Sequence, residues 1–441
     1  MKKVITYGTY DLLHYGHIRL LERAKELGDY LIVGVTADDF DLVRGKINVQ
    51  QSLMERVEAV RATGIADEII IEEYEGQKID DIRRLDVDVF TVGSDWVGYF
   101  DYLKEYCEVV YLDRTEGVSS SEIRAEKREL TIGLIGSGTV LEKHRLECDY
   151  VNGIKVAGIC STNIAGKAGV KVYESVDALL EEVDSVYIFE NPRNQYEIAK
   201  KALQAGKHVL CEAPVAIYKS EISELYQLAE EKGLVLMEAI KTAYATAFNR
   251  LQLLIKGGRI GKVVSIDAIC TSMREIEKCS EEELATMWNS LYAWGPTALL
   301  PVFQLLGTDY RDCVITSHFA DRNCKYDAFS KIDLRYDDAV ASVKVGQGVK
   351  SEGELIISGT QGYVYVPAPW WKTDYFEIRY EDPANNKRYF YQLEGEGIRY
   401  EIVAFVKAIE SGKNMPYIER DVVEAISGVM EKLEQGDVVK I

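Results

Sequence analysis

The sequence predicts an α/β protein: a Rossmann-like domain, then a second Rossmann domain of the dinucleotide type, then a C-terminal α+β domain on a mostly antiparallel sheet. Three observations lead there. Residues 1–124 alternate short apolar runs with helical patterns, the rhythm of a parallel sheet. At Thr131 the run Thr-Ile-Gly-Leu-Ile-Gly-Ser-Gly-Thr begins a second strand–turn–helix series. From about Gly261 the texture becomes strand-rich and punctuated by turns.

In the first domain, strands are expected at Lys3–Tyr7, Tyr30–Val35, Glu68–Ile71, Val87–Thr91 and Val109–Tyr111. Helices are expected at His17–Leu27, where Ile18, Leu20, Leu21, Ala24 and Leu27 share an apolar face, and at Leu53–Ala62, Ile79–Leu85 and Phe100–Glu105. Residues 122–130 hold no Pro or Gly and read as a stiff, charged, helix-like joint. In the second domain, strands follow near Ile154–Ile159, Ser185–Phe189, His208–Cys211 and Leu234–Met237, with helices between them. The last domain reads as strands Val263–Cys270, Cys313–His318, Lys331–Arg335, Ala339–Val345, Glu354–Ser358 and Tyr363–Val366, then helices Tyr400–Glu410 and Glu419–Leu433. The domains are set at residues 1–128, 129–248 and 249–441. There is no internal repeat and no low-complexity tract.

Composition narrows the function. A chain of 441 residues, 47% of them hydrophobic, can build two or three cores. No apolar run reaches transmembrane length. Met1–Tyr7 turns polar at once and lacks the core of a signal peptide. The eight cysteines are scattered and form no CxxC pair, which favours reduced thiols in a cytoplasm over zinc or disulfides. A net charge of −20 repels nucleic acid and anionic membrane. It also means that an anionic ligand needs a local cluster of cations.

The strand Val4–Gly8 runs through Thr9–Leu13 into His14-Tyr15-Gly16-His17, which holds two of the chain's five histidines. They lie at the mouth of a predicted helix, where free N–H groups and the positive dipole end suit a polyphosphate. Read alone, the four residues could equally cap a helix. The strand–turn–helix context and a second motif far downstream favour the polyphosphate reading.

Residues 1–124 resemble the glycerol-3-phosphate cytidylyltransferase family. The resemblance rests on Gly8-Thr9-Tyr10-Asp11-Leu12-Leu13-His14-Tyr15-Gly16-His17, on Gly93-Ser94-Asp95-Trp96-Val97-Gly98-Tyr99-Phe100-Asp101, and on Arg114-Thr115-Glu116-Gly117-Val118-Ser119-Ser120-Ser121, which is close to an RTEGIST signature. It implies nucleotidyl transfer: a phosphate monoester joins the α-phosphorus of CTP and pyrophosphate leaves. Such catalysis is positioning plus charge stabilisation. The resemblance implies catalytic roles for His14, His17, Lys46 and Arg114. His14 and His17 would donate N–H bonds to phosphate oxygens, and Gly16 would let the backbone approach the triphosphate. Arg114, Thr115, Ser119 and Ser120 would grip the β- and γ-phosphates where the segment enters its own helix. Arg44 and Lys46 would form a phosphate clamp, although from the residues alone they read as solvated loop charges. Gly8, Thr9 and Tyr10 would line the nucleotide. Asp11 would lie beside the metal or the triphosphate, the alternative being a helix cap. Asp95 and Trp96 would lie near the cytidine and the acceptor phosphate, against the alternatives of turn and core. No side-chain cluster with metal-ligand spacing is present, so Mg²⁺ is expected through the CTP phosphates.

The sequence departs from that family at three places. The basic residue expected just before a "VDEV" stretch is Gly64, with Arg61 one helical turn earlier as a stand-in. Tyr99 stands where lysine is usual, and Ser94 where a second Asp is usual. The acceptor is therefore widened from glycerol 3-phosphate to small polyol phosphates.

Residues 131–441 resemble the Gfo/Idh/MocA oxidoreductases. The residues that carry this are Ile132–Gly138, the stretch Ala205-Gly206-Lys207-His208-Val209-Leu210-Cys211-Glu212-Ala213-Pro214, Leu236–Ala239 and Gly258–Val263. The resemblance implies a dinucleotide site at Gly136, Ser137, Gly138 and Glu212, with NAD(P) as a possible cofactor. The chemical equipment is worn. Leu141 replaces the third small residue of the glycine fingerprint, and the second strand ends at Cys160-Ser161-Thr162 with no Asp or Arg for the ribose. Ala213 replaces the family's EKP lysine, and Ala293 and Thr297 fall where an Asp and a His or Tyr are expected. Three readings stay open: a redox-silent assembly module, a ligand-binding module, or a reductase with relocated acids drawn from Glu190, Arg193, Lys241 and Tyr244.

The expected function is thus a CTP-dependent cytidylyltransferase making a CDP-polyol for surface polymers. The alternatives are a bifunctional enzyme whose second half also reduces a keto-sugar phosphate, and a second half that is only a scaffold. The expected partners are CTP and a polyol phosphate, with no nucleic acid and no membrane, in a cytoplasmic homodimer.

Overall fold

The computed structural model describes residues 1–441 except 38–48, 50, 74–75, 114–129, 152, 162–169, 324, 392, 394 and 413–416, and for Asp95 it describes the backbone only. The chain divides into two compact units, Met1–Glu129 and Leu130–Ile441.

The first unit is a five-stranded parallel sheet. Its strands are β1 (Lys3–Gly8), β2 (Tyr30–Thr36), β3 (Glu68–Glu72), β4 (Val89–Gly93) and β5 (Glu108–Leu112), in the order β3-β2-β1-β4-β5. Val4 pairs with both Leu31 and Val89, so β1 lies at the centre. The strands read as near-continuous apolar runs because helices cover both faces. On one face, α1 (Tyr15–Glu26) and α2 (Leu53–Ala62) bury Leu21, Ala24, Val57 and Val60 against Val4, Leu31, Val33 and Val35. On the other, α3 (Gln77–Leu85) brings Ile82 to Ile5, Ile32 and Phe90. The start of α2 is set by a capping box: the Ser52 N–H donates to the Glu55 carboxylate, and the Ser52 hydroxyl accepts from the Glu55 N–H. The helix expected at Phe100–Glu105 is a 3₁₀ segment, Asp101–Glu105. It follows a tight turn and is too short to settle into an α-helix.

The second unit contains a six-stranded parallel sheet and a nine-stranded mixed sheet. The first holds β6 (Leu130–Gly136), β7 (Ile154–Cys160), β8 (Lys171–Val172), β9 (Ser185–Phe189), β10 (His208–Glu212) and β11 (Leu236–Ala239), in the order β11-β10-β9-β6-β7-β8. Among its helices are α4 (Thr139–Cys148), α5 (Pro192–Gln204) and α6 (Lys219–Lys232), and the latter two pack over an apolar layer of Ala199, Leu203, Ile222 and Leu225. The large sheet holds β12 (Val263–Thr271), β13 (Asp312–Phe319), β14 (Asp327–Arg335), β15 (Val340–Gly346), β16 (Leu355–Gly359), β17 (Tyr363–Val366), β18 (Tyr375–Arg379), β19 (Lys387–Phe390) and β20 (Val439–Lys440). Its order is β19-β18-β17-β16-β12-β15-β14-β13-β20; β12 runs parallel to β15 and β13 to β20, and the other pairs are antiparallel. The helix α7 (Ser290–Leu306) packs on this sheet with Pro296 and Pro301 inside it. It is followed by α8 (Ile398–Ser411) and α9 (Arg420–Glu434). Sequence patterning passes over α7 because it is apolar nearly all round and interrupted by proline. It also misses β18 and β19: their residues Arg379, Lys387 and Arg388 break the apolar alternation.

Candidate active site

The motif turn sits at the carboxyl ends of the central parallel strands, where open α/β sheets place their ligands. Between β1 and α1 the backbone doubles back through two left-handed residues, Tyr10 at φ 54° and Leu12 at φ 48°. Non-glycine residues in that region are costly and persist only where the surroundings dictate them. Gly8 is one reason the turn closes: a Cβ there would stand 3.0 Å from the Tyr10 ring, which is buried. Burial pushes the Tyr10 hydroxyl well above its ordinary range.

His14 is the N-cap of α1, and its Nδ1 accepts from the Gly16 N–H at 3.1 Å. A neutral His14 therefore carries its proton on Nε2 and presents that N–H as a donor. His17, three residues on, returns to the same face of the helix. The two imidazoles stack with ring centroids 3.9 Å apart, and the Tyr10 ring meets His17 edge-on at 5.6 Å. No acidic residue lies in the first turn of α1. The result is a pair of imidazoles at a helix N-terminus, groups that can donate hydrogen bonds to anionic oxygens.

Asp11 is buried, and its Oδ1 accepts from the Gln51 N–H at 2.9 Å, while the Leu12 N–H donates to the Gln51 side chain at 2.7 Å. The cap of α1 is thus His14, and Asp11 ties the motif turn to the residue before α2. Arg56, fully buried, is the residue that sequence reasoning missed. Its Nη1 donates to the carbonyls of Thr9 at 2.6 Å and Thr36 at 2.8 Å, and its Nε to that of Gln51 at 3.1 Å. The signal was available: Arg56 lies on the face of α2 that holds Val60 four residues on, a charge inside an apolar stripe.

The chain of polar contacts continues. The Thr36 hydroxyl donates to Glu72 at 2.9 Å, and the other Glu72 oxygen pairs with Lys78, both side chains being buried. Lys78 also lies 4.7 Å from the Tyr7 ring centroid, and the Tyr7 hydroxyl donates to Asp81 at 2.9 Å. Buried charge of this kind is costly unless paired and hydrogen-bonded, and here it is both.

Trp96 ends a short 3₁₀ turn after β4, half-buried against Tyr99 and Phe100, and the Asp95 backbone lies in the same turn. Tyr99 is exposed. Arg61 is ion-paired with Glu58 on the exposed face of α2. Arg44, Lys46, Arg114, Thr115, Ser119 and Ser120 lie outside the described residues. Among the described residues, no group of three or more His, Cys, Asp or Glu could hold a metal ion, and no helix is long and apolar enough to cross a membrane.

In the second unit, Gly136 and Gly138 turn the chain from β6 into α4 with φ of 124° and 102°. A Cβ at Gly136 would fall 1.8 Å from the Phe189 carbonyl oxygen, so only glycine fits. Ser137 lies between them, its N–H donating to that carbonyl at 3.4 Å. Leu141, in place of the small third residue, is fully buried. Glu212 ends β10 and accepts from the Tyr187 hydroxyl at 2.7 Å; burial raises its carboxyl. Glu401 is raised as well, by burial and by the neighbouring Glu212, and Lys241 opposes both shifts. Tyr244 donates its hydroxyl to the Glu238 carbonyl at 2.6 Å, and Arg193 is ion-paired with Glu434. Both are committed to structural partners.

Residues 5–126 match the family described as Cytidylyltransferase-like, and residues 130–240 the oxidoreductase family with NAD-binding Rossmann fold. The chain is 52% identical over 130 residues to the glycerol-3-phosphate cytidylyltransferase of Bacillus spizizenii, a match covering 30% of this chain and 100% of that relative. It is 39% identical over 145 residues to an uncharacterized oxidoreductase of Schizosaccharomyces pombe, covering 32% of this chain and 39% of that protein. In structure it is similar to a 3-ketoreductase from Actinomadura kijaniata, solved with NADP and TDP-benzene, at a TM-score of 0.62 and 20% identity over 71% of this chain and 99% of that one. The chain belongs to the glycerol-3-phosphate cytidylyltransferase family through its first unit, and joins to it a second unit of the Gfo/Idh/MocA oxidoreductase fold.

Proposed function

We propose that the first unit transfers the cytidylyl group of CTP to glycerol 3-phosphate or a related small polyol phosphate, giving the CDP-polyol and pyrophosphate. The observation that carries this is the stacked His14–His17 pair at the N-terminus of α1. An oxygen of the acceptor phosphate attacks the α-phosphorus. A P–O bond forms there, the bond to the bridging oxygen breaks, and its electron pair leaves with pyrophosphate. His14 and His17 donate to phosphate oxygens on which charge accumulates, and Gly16 keeps the approach open. Gly8, Thr9, Tyr10 and Asp11 shape the turn, and Arg56 holds its carbonyl side. By the family resemblance, Arg44, Lys46, Arg114, Thr115, Ser119 and Ser120 would supply the phosphate clamp, and Asp95 and Trp96 would serve the cytidine and the acceptor phosphate. Mg²⁺ would be carried by the CTP phosphates, as the family resemblance implies. The family resemblance extends the proposal to a cytoplasmic homodimer. Replacing His17 with Ala tests the site: pyrophosphate release should fall by a factor of about 10²–10³, as for loss of a transition-state donor, and unchanged turnover refutes it.

A second reading is favoured by the retained glycine turn: the second unit binds NAD(P), whose chemistry is hydride transfer. Gly136, Ser137 and Gly138 would hold the diphosphate at the start of α4, with Glu212 nearby. Titration of NADH and NADPH into the full chain, followed by nicotinamide fluorescence, tests it; no binding at millimolar cofactor removes it.

A further inference from the structure

Three lysines from separate parts of the second unit converge on one carboxylate. The Glu396 Oε1 lies 2.9 Å from Lys372 Nζ, and its Oε2 lies 3.0 Å from Lys143 Nζ and 3.6 Å from Lys241 Nζ. Lys143 is on α4, just after the glycine turn; Lys241 follows β11; Lys372 follows a short turn after β17. Three ammonium groups thus face the Glu396 carboxylate, and Lys241 also faces the buried carboxyls of Glu212 and Glu401.

The carboxylate is delivered by an unusual strap. Gly395, Glu396 and Gly397 all have left-handed backbone, with φ of 56°, 54° and 94°. Glycine adopts that conformation freely and glutamate does not. Gly395 passes close to Glu147, where a Cβ would fall 2.2 Å from Oε2, and Glu147 is bridged to Arg399 at 3.0 Å. Beside it opens a cavity of about 360 Å³, lined by Lys372, Asp374, Tyr375 and Glu396 among others. The lysines are only partly exposed, at 30–53%, so their charges are drawn together against mutual repulsion. The lysines hold the Glu396 carboxyl at about 2, well below the usual range, so it is ionised at any working pH.

We propose that Lys143, Lys241 and Lys372 form a binding site for a phosphate-bearing small molecule, with the Glu396 carboxylate as its resident counter-ion. The ligand's phosphate replaces that carboxylate, and the strap with its two glycines moves aside. A dianion suits the site because three ammonium groups, once freed of Glu396, can each donate to it. The group could belong to a phosphorylated polyol or sugar, or to a nucleotide.

Site-resolved lysine acylation of the full chain, read by mass spectrometry at fixed ionic strength, tests this independently of the first unit. The probes are inorganic phosphate, glycerol 3-phosphate and ADP, and Lys278 serves as an exposed control. At millimolar probe, Lys143, Lys241 and Lys372 should lose labelling together while Lys278 does not. The probe that protects at the lowest concentration identifies the source of the phosphate. Glu396→Gln should lower the half-protecting concentration of phosphate about tenfold, by removing a competing anion. Lys372→Gln should raise it. Absence of protection by all three probes, or an unchanged half-protecting concentration in Glu396→Gln, overturns the proposal.

Discussion

The Nη1 of Arg56 lies 2.6 Å from the carbonyl oxygen of Thr9, and the same nitrogen reaches the carbonyl of Thr36 at 2.8 Å. One buried guanidinium thereby fastens the motif turn to the end of the neighbouring strand. Replacing Arg56 with Met strands three carbonyls at roughly 1–3 kcal/mol each, so a loss of about 3 kcal/mol or more in urea unfolding is expected. Turnover of CTP should fall with it. Lys at this position should recover little, because an ammonium cannot span the fork of acceptors. Full stability in Arg56→Met would show that the clamp is idle.

His14 has two tasks that substitutions can separate. His14→Ala removes both the cap, worth about 1 kcal/mol, and the phosphate donor. His14→Asn keeps an effective cap and removes the imidazole. Both variants should lose pyrophosphate release, whereas only the alanine variant should lose thermal stability. Equal activity in His14→Asn and the parent would reduce His14 to a cap.

Gly136→Ala should unsettle the second unit specifically. The added Cβ has no room beside the Phe189 carbonyl, and the φ of 124° disfavours any side chain. A drop of at least about 2 kcal/mol is expected for such backbone conflict, seen as an earlier transition in calorimetry. An unmoved transition would mean that β6 can shift to accommodate it.

Glu238 predicts a pH dependence. It is fully buried, its Oε1 accepts from the Val215 N–H at 2.9 Å, and burial raises its carboxyl to about 7. The folded state therefore holds a proton that the unfolded chain, with an ordinary carboxyl near 4.5, has released. Stability from this group is present in full below that value and is lost as pH rises toward about 7, where it levels off. Glu238→Gln should flatten this part of the pH–stability curve. An identical curve for parent and variant would assign the slope elsewhere.

The parallel sheet of the first unit was legible in the sequence because its strands are near-continuous apolar runs, whereas β8, β18, β19 and β20 were not. Leu53–Ala62 was legible to the residue. The histidine pair was legible as a motif, and its stacking follows from helical spacing. The burial of Arg56 and Lys78 was missed because a lone charge is read as solvent-facing, although Arg56 falls within the apolar stripe of its helix. Their burial depends on partners 47 residues away at Thr9 and 6 residues away at Glu72. The lysine cluster on Glu396 was hidden for the same reason: its members are separated by up to 253 positions.

The most direct measurement is pyrophosphate release from the full chain, with glycerol 3-phosphate and other small polyol phosphates offered against CTP, ATP, GTP and UTP. Release is expected with CTP and at least one polyol phosphate, with the CDP-polyol formed in equal amount and both lost in His17→Ala. No release from CTP with any polyol phosphate, or equal release from all four nucleotides, would contradict it.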